Sequence, residues 1–239
     1  MLGERLSTAR DGKRPVAVDL YFPDGTSGKG LPVVFNIHGG GFVAGDADAL
    51  DTQSSRLANE WQAIVVSVNY KTADVEPISY GVDEICDVVS YFRDNASKLG
   101  ADPSRFSIMG YSAGAYYSAE AAEKLARSGQ MVEALVLCYP WTTGLPTQDL
   151  KGPLPRTMFV LAGKDPISQM EKQYLQSVKY AGISVTEVEY ASAVHSFIES
   201  NNPEEESDPS SKESGVTSPE REELARQAES AIGKWLGYE

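Results

Sequence analysis

The sequence predicts an α/β fold built on a doubly wound, mostly parallel sheet of about seven or eight strands flanked by helices. Three observations carry that expectation. Apolar runs of strand length recur along the chain, most of them are rich in β-branched residues and nearly continuous, and segments with helical periodicity lie between them. Continuous apolar runs mark strands buried on both faces of a parallel sheet. Regular β-α alternation lays helices over both faces and puts the site at the carboxyl ends of the strands.

PVAVDLY (15–21) alternates apolar and polar residues and predicts an edge strand, closed by the turn Pro23-Asp24-Gly25. LPVVFNIH (31–38), AIVVSVNY (63–70), RFSIMGYS (105–112), ALVLCYP (134–140) and TMFVLAG (157–163) predict the buried strands. Helical windows fall near 49–60, 78–99, 112–128, 168–181 and 219–236, and SVTEVEY (184–190) alternates like a last, half-exposed strand. In the final window Leu224, Ala228, Ala231 and Leu236 share one face, which makes Trp235 a packing residue. The whole of 1–239 reads as a single domain.

Composition narrows the function classes. The formal charge is −13, from 21 basic and 34 acidic residues, so nucleic acid and anionic membrane are repelled rather than bound. Two His and two Cys leave too few soft ligands for an ordinary zinc site, and no metal is expected. Cys86 and Cys138 read as two buried reduced thiols. No stretch reaches the roughly 18 apolar residues of a membrane span, and the opening MLGERLSTARDGKRP has no secretory apolar core, which reads as cytoplasmic unless a leader was removed. Segment 200–218, acidic and rich in Ser and Pro, predicts a solvated loop, or a flap beside the site because it starts five residues after His195.

Two glycine motifs carry the chemistry. Gly110-Tyr111-Ser112-Ala113-Gly114 is a G-x-S-x-G pattern, for which this composition gives about 0.2 chance matches, so context must decide its meaning. A strand runs into it and a helix-prone segment leaves it. A nucleophile on such a tight turn needs small residues two before and two after it, where the backbone closes on itself. His38-Gly39-Gly40-Gly41-Phe42 follows another strand, with a chance expectation on the order of 0.001. Consecutive glycines let N–H groups converge on a developing oxyanion. Gly40 and Gly41 are the expected donors from this loop and Ala113 from the helix start. A phosphate-binding loop would need a different glycine spacing.

Ser112 needs a base within hydrogen-bond reach. Of the two histidines, His38 opens the oxyanion loop and reads as structural, which leaves His195 as the base. The third group must orient the imidazole. Asp165, directly after the strand TMFVLA, is the first candidate, with a helix N-cap as its other reading and Asp149 as the fallback acid. The order Ser112, Asp165, His195 is that of α/β hydrolases.

Taken together, HGGGF, GYSAG, GKDP and the late His-Ser-Phe resemble the bacterial hormone-sensitive-lipase-like esterases of the α/β-hydrolase superfamily, over most of 31–239. That resemblance implies Ser112 as nucleophile, Asp165 and His195 completing a triad, Gly40, Gly41 and Ala113 as oxyanion donors, and no cofactor. The family's usual helical cap has no counterpart in the short, Pro- and Gly-rich 141–156, so an open cleft is expected, suited to acetylated or feruloylated carbohydrates. Ser196 stands where the family more often has Gly. Phe42, Tyr111 and Trp141 are expected to line the cleft, with Trp141 closing the acyl side, while Tyr116 and Tyr117 read as core. The expected partner is a small ester, hydrolysed through an acyl-enzyme; the oligomeric state is left open. An amidase or arylformamidase on the same triad is the alternative, followed by a non-catalytic binding protein of this fold.

Overall fold

The computed structural model describes residues 4–6, 16–25, 30–145, 153–199 and 218–238. Among the described residues eight strands form one sheet: β1 (Glu4–Leu6), β2 (Val16–Tyr21), β3 (Leu31–Ile37), β4 (Ile64–Asn69), β5 (Ala101–Tyr111), β6 (Ala134–Cys138), β7 (Arg156–Ala162) and β8 (Val185–Tyr190). Their spatial order is β1-β2-β4-β3-β5-β6-β7-β8. From β3 to β8 every pairing is parallel; β2 joins β4 antiparallel and β1 joins β2 antiparallel.

This corrects one expectation. The segment 15–21 is not the edge, because Glu4–Leu6 pairs outside it in the register Arg5↔Ala17. A three-residue strand has too little periodicity to be read from sequence. The alternating last strand, β8, is half-exposed as expected and lies at the other end of the strand order.

Helices α1 (Asp51–Glu60), α2 (Ile78–Asp94), α3 (Ala96–Leu99), α4 (Ala113–Arg127), α5 (Ser168–Tyr180) and α6 (Pro219–Leu236) cover both faces. The predicted helix 78–99 is broken at Asn95, and Gly100, at φ 72°, ends the short α3 before β5. Strand residues alternate between two cores. Phe35, Ile37, Ile108, Leu137 and Leu161 face α2, α4 and α5; Val34, Val65, Met109, Val136 and Val160 face α1 and α6. Cys86 lies in the first core and Cys138 in the second, so the sheet itself separates the thiols.

The chain leaves β3 in both directions, to β4 on one side and β5 on the other. At such a switch point the loops after the two strands diverge and open a crevice at the carboxyl edge. HGGGF follows β3 and Ser112 follows β5, so the topology brings the two glycine motifs to the same crevice.

Candidate active site

Ser112 is the turn between β5 and α4, with φ 51° and ψ −116°. A non-glycine residue at positive φ costs about 1–3 kcal/mol and persists only where its surroundings over-determine it. Here the Ser112 N–H donates to the Cys138 carbonyl at 3.0 Å, and its own carbonyl accepts from Ala115 N at 3.1 Å and Trp141 N at 3.0 Å. The flanking glycines make the turn sterically feasible. A Cβ at Gly110 would stand 2.3 Å from Ser118 Oγ, and one at Gly114 would stand 2.1 Å from the His38 carbonyl oxygen.

His195, in the loop after β8, places Nε2 2.8 Å from Ser112 Oγ. Its Nδ1 lies 2.5 Å from Asp165 Oδ2. With Nδ1–H donating to the carboxylate, Nε2 keeps a lone pair toward the serine hydroxyl. Asp165 is only 4% exposed, and its second oxygen accepts from Ile167 N at 2.9 Å. The N-cap-like contact and the His195 contact therefore coexist, one on each oxygen. Asp149 lies outside the described residues, as do 146–152 and 200–217, which hold most of the acidic segment.

The HGGGF loop curls in the left-handed region: φ is 117° at Gly40, 59° at Gly41 and 74° at Phe42. A Cβ at Gly40 would meet the Ala44 carbonyl oxygen at 1.9 Å, since that residue's N–H closes a turn onto Gly40 O at 3.0 Å. Among the described residues, no backbone carbonyl outside helix α4 takes the N–H groups of Gly40, Gly41 or Ala113. Ala113 also opens α4, where the helix dipole favours negative charge. His38 does not face Ser112. Its Nδ1 donates to the Gly39 carbonyl at 2.8 Å, its ring stacks on Tyr70 at 4.3 Å, and the Tyr70 hydroxyl donates to the His38 carbonyl at 2.8 Å. Burial depresses its basicity, which suits a neutral ring braced inside the loop.

The expected lining residues divide. Phe42 is half-buried and edge-on to Trp141 at 6.0 Å, close to the Ser112 turn through the Trp141 N–H. Tyr111 does not line the cleft: it is fully buried, and its hydroxyl donates to Gln53 Oε1 at 3.2 Å. Strand alternation is the reason, since Tyr111 points with Met109 into the α1–α6 core while Ser112 turns out. Tyr116, expected in the core, is instead half-buried and edge-on to Phe42 at 5.4 Å, and only Tyr117 is fully buried. Tyr116 also lines a cavity of about 740 Å³ between α2 and α4.

Two carboxyls that sequence reasoning passed over stand close by. Glu199 reaches inward, accepting the Tyr139 hydroxyl on Oε2, and its Oε1 lies 3.4 Å from where a Gly39 Cβ would be. Burial pushes its carboxyl up to about 8. Glu171 is fully buried on α5, beside Asp165. Neither has a motif around it; each is placed by the packing of a helix or loop against the sheet.

Residues 34–151 match a family model described as the alpha/beta hydrolase fold. The crystal structure of the thermophilic carboxylesterase EstE1, from a metagenomic library, superimposes with a TM-score of 0.76 at 25% identity, over 94% of this chain and 86% of that one. The chain has the α/β-hydrolase fold. Among the curated proteins it resembles are esterases. It is 38% identical over 141 residues to the carboxylesterase NlhH of Mycobacterium tuberculosis, covering 58% of this chain and 44% of that protein. It is 31% identical over 116 residues to the versiconal hemiacetal acetate esterase of Dothistroma septosporum, covering 47% and 35%. The chain thus spans less than half the length of the curated relatives it matches. Among its described residues no helix is long and apolar enough to cross a membrane.

Proposed function

We propose that the protein is a serine carboxylesterase acting on short-chain, acetyl-type esters of small molecules. The observation that carries this reading is the hydrogen-bonded chain Ser112–His195–Asp165 beside N–H groups of a glycine loop and a helix start that donate to no backbone carbonyl outside helix α4 among the described residues. His195 Nε2 takes the Ser112 proton as Oγ attacks the ester carbonyl carbon. Asp165 holds the imidazole tautomer and offsets the imidazolium charge that forms. The N–H groups of Gly40, Gly41 and Ala113 stabilise the tetrahedral oxyanion, a contribution of several kcal/mol in a site of this kind. Collapse expels the alcohol, which leaves with the proton from His195. Water then attacks the acyl-enzyme through the same base and releases the acid. These steps use side chains, backbone and water alone.

The acetyl preference rests on the ring cluster. Phe42, Tyr116 and Trp141 meet edge to face, a dense arrangement beside Ser112 that leaves a small acyl group the easiest fit. The similarity to an acetate esterase supports the same direction. Decorated sugars, with an acetyl or feruloyl group on a polar alcohol, are the proposed natural class. The test is hydrolysis of 4-nitrophenyl acetate, butyrate and octanoate by wild type and Ser112→Ala. Acetate should be fastest, and the variant should lose on the order of 10³-fold or more. Equal inactivity of both proteins would overturn the reading, and aryl formamides would then be assayed for the amide-cleaving alternative.

A further inference from the structure

Beside Asp165 and His195 of the proposed triad lies a second acid. Glu171 sits six residues after Asp165, on the first turn of α5, with no solvent exposure. One side-chain oxygen of Glu171, one of Asp165 and one ring nitrogen of His195 fall within 4.8 Å of each other. Among the described residues, neither Glu171 oxygen has a hydrogen-bond donor. A buried, ionised carboxylate with no donor beside another carboxylate would be prohibitively costly. A proton on Glu171, donated to Asp165, would satisfy the arrangement.

We propose that Glu171 is a positioning residue, a neutral buried acid whose O–H holds the Asp165 carboxylate in place against His195. The proposal rests on the triad reading above. Asp165 then has partners on every side: the Ile167 N–H on Oδ1, the His195 Nδ1–H on Oδ2, and the Glu171 hydroxyl. Its charge is shared over three donors and its rotation is blocked. The Glu171 proton takes no part in the reaction, because the proton from Ser112 goes to His195 and on to the leaving alcohol.

The other charged groups around Glu171 agree with this state. Burial comes first and the Asp165 charge second in pushing the Glu171 carboxyl up to about 9. Lys172, the next residue on α5, pulls the other way, but it is paired with Glu189 of β8 at 3.0 Å. Glu189 itself pushes in the same direction as Asp165, and His195, also in the cluster, bonds to Asp165. Glu171 should therefore lose its proton only in alkaline solution, where a second negative charge beside Asp165 disturbs the triad.

The test compares wild type with Glu171→Gln and Glu171→Leu. Infrared difference spectra at pH 7, wild type minus Glu171→Gln, should show the carbonyl stretch of a protonated carboxylic acid, a readout independent of activity. In pH profiles of kcat/KM for 4-nitrophenyl acetate, the amide of Gln still donates to Asp165 but cannot ionise. It should keep wild-type kcat within about threefold at pH 7 and extend activity on the alkaline side. Leu, with no donor, should lose roughly tenfold or more in kcat with KM little changed. No such carbonyl band, or superimposable profiles for all three proteins, overturns the proposal. If no Ser112-dependent hydrolysis is found, the esterase reading fails, and the infrared band still decides where the proton is.

Discussion

Gly114 lies directly under the backbone of His38, so close that a Cβ there would stand 2.1 Å from the His38 carbonyl oxygen and 2.4 Å from that of Ile37. The turn that presents Ser112 and the loop that carries Gly40 and Gly41 are therefore packed backbone to backbone. The distance between Ser112 and the N–H groups of Gly40 and Gly41 is fixed by the sheet register of β3 and β5, Ile37 opposite Gly110, and not by flexible side chains.

Gly114→Ala should accordingly damage both parts at once. The methyl group meets main-chain atoms that cannot swing away, so the strand-to-helix junction has to open. Loss of soluble protein, or a clear fall in thermal midpoint together with loss of esterase activity, is expected. Gly41→Ala is the control, because nothing lies within 4 Å of its Cβ and only the positive φ is penalised, by about 1–2 kcal/mol. Thermal unfolding of the two variants side by side separates a steric clash from a backbone penalty.

Asp165→Asn should retain the fold and lose on the order of 10³-fold or more in kcat, because the amide favours the wrong imidazole tautomer. Combining it with Ser112→Ala should add almost nothing, as residues acting as a unit are not additive. Full additivity in the double variant would show that the two side chains act separately.

Trp141→Ala should change selectivity more than rate. Removing the ring opens the space bounded by Phe42 and Tyr116, so the butyrate-to-acetate ratio of kcat/KM should rise roughly tenfold. The same substitution at Tyr111 should leave that ratio unchanged, since its side chain belongs to the core on the other face of the sheet. An altered ratio for a Tyr111 variant would place the cleft elsewhere.

Stability should fall as the solution becomes alkaline. Glu199 and Glu171 are raised from the ordinary 4.5 to about 8 and about 9, so the native state holds two protons that the unfolded chain releases. Between those limits the unfolded state binds fewer protons and the unfolding free energy declines with pH. The contribution is complete below about pH 4.5 and is lost as pH rises through 8 to 9. Thermal midpoints from pH 5 to 9.5 should drop steadily in wild type and more shallowly in the double variant Glu171→Gln, Glu199→Gln. Parallel curves would mean that these carboxyls do not carry the dependence.

Much of this molecule is legible from the chain alone, for a physical reason. Strand runs, helical periods, the glycines around Ser112 and the HGGGF loop are local signals. Each reflects what a few consecutive residues can do sterically, and Gly110 and Gly114 are glycine because no Cβ fits. Having only two histidines made the choice of base one of elimination. What lay beyond the sequence needs contacts between distant segments. The edge strand Glu4–Leu6 exists only because β2 offers it a ladder. Tyr111 and Tyr116 exchange their expected places because the strand's alternation and the helix's rotation decide which side of the sheet each ring meets. Glu171 and Glu199 carry no motif, and as sequence they are two of 34 acidic residues. Only the folded sheet, by enclosing them beside Asp165 and Gly39, gives their carboxyls an environment in which a proton stays bound.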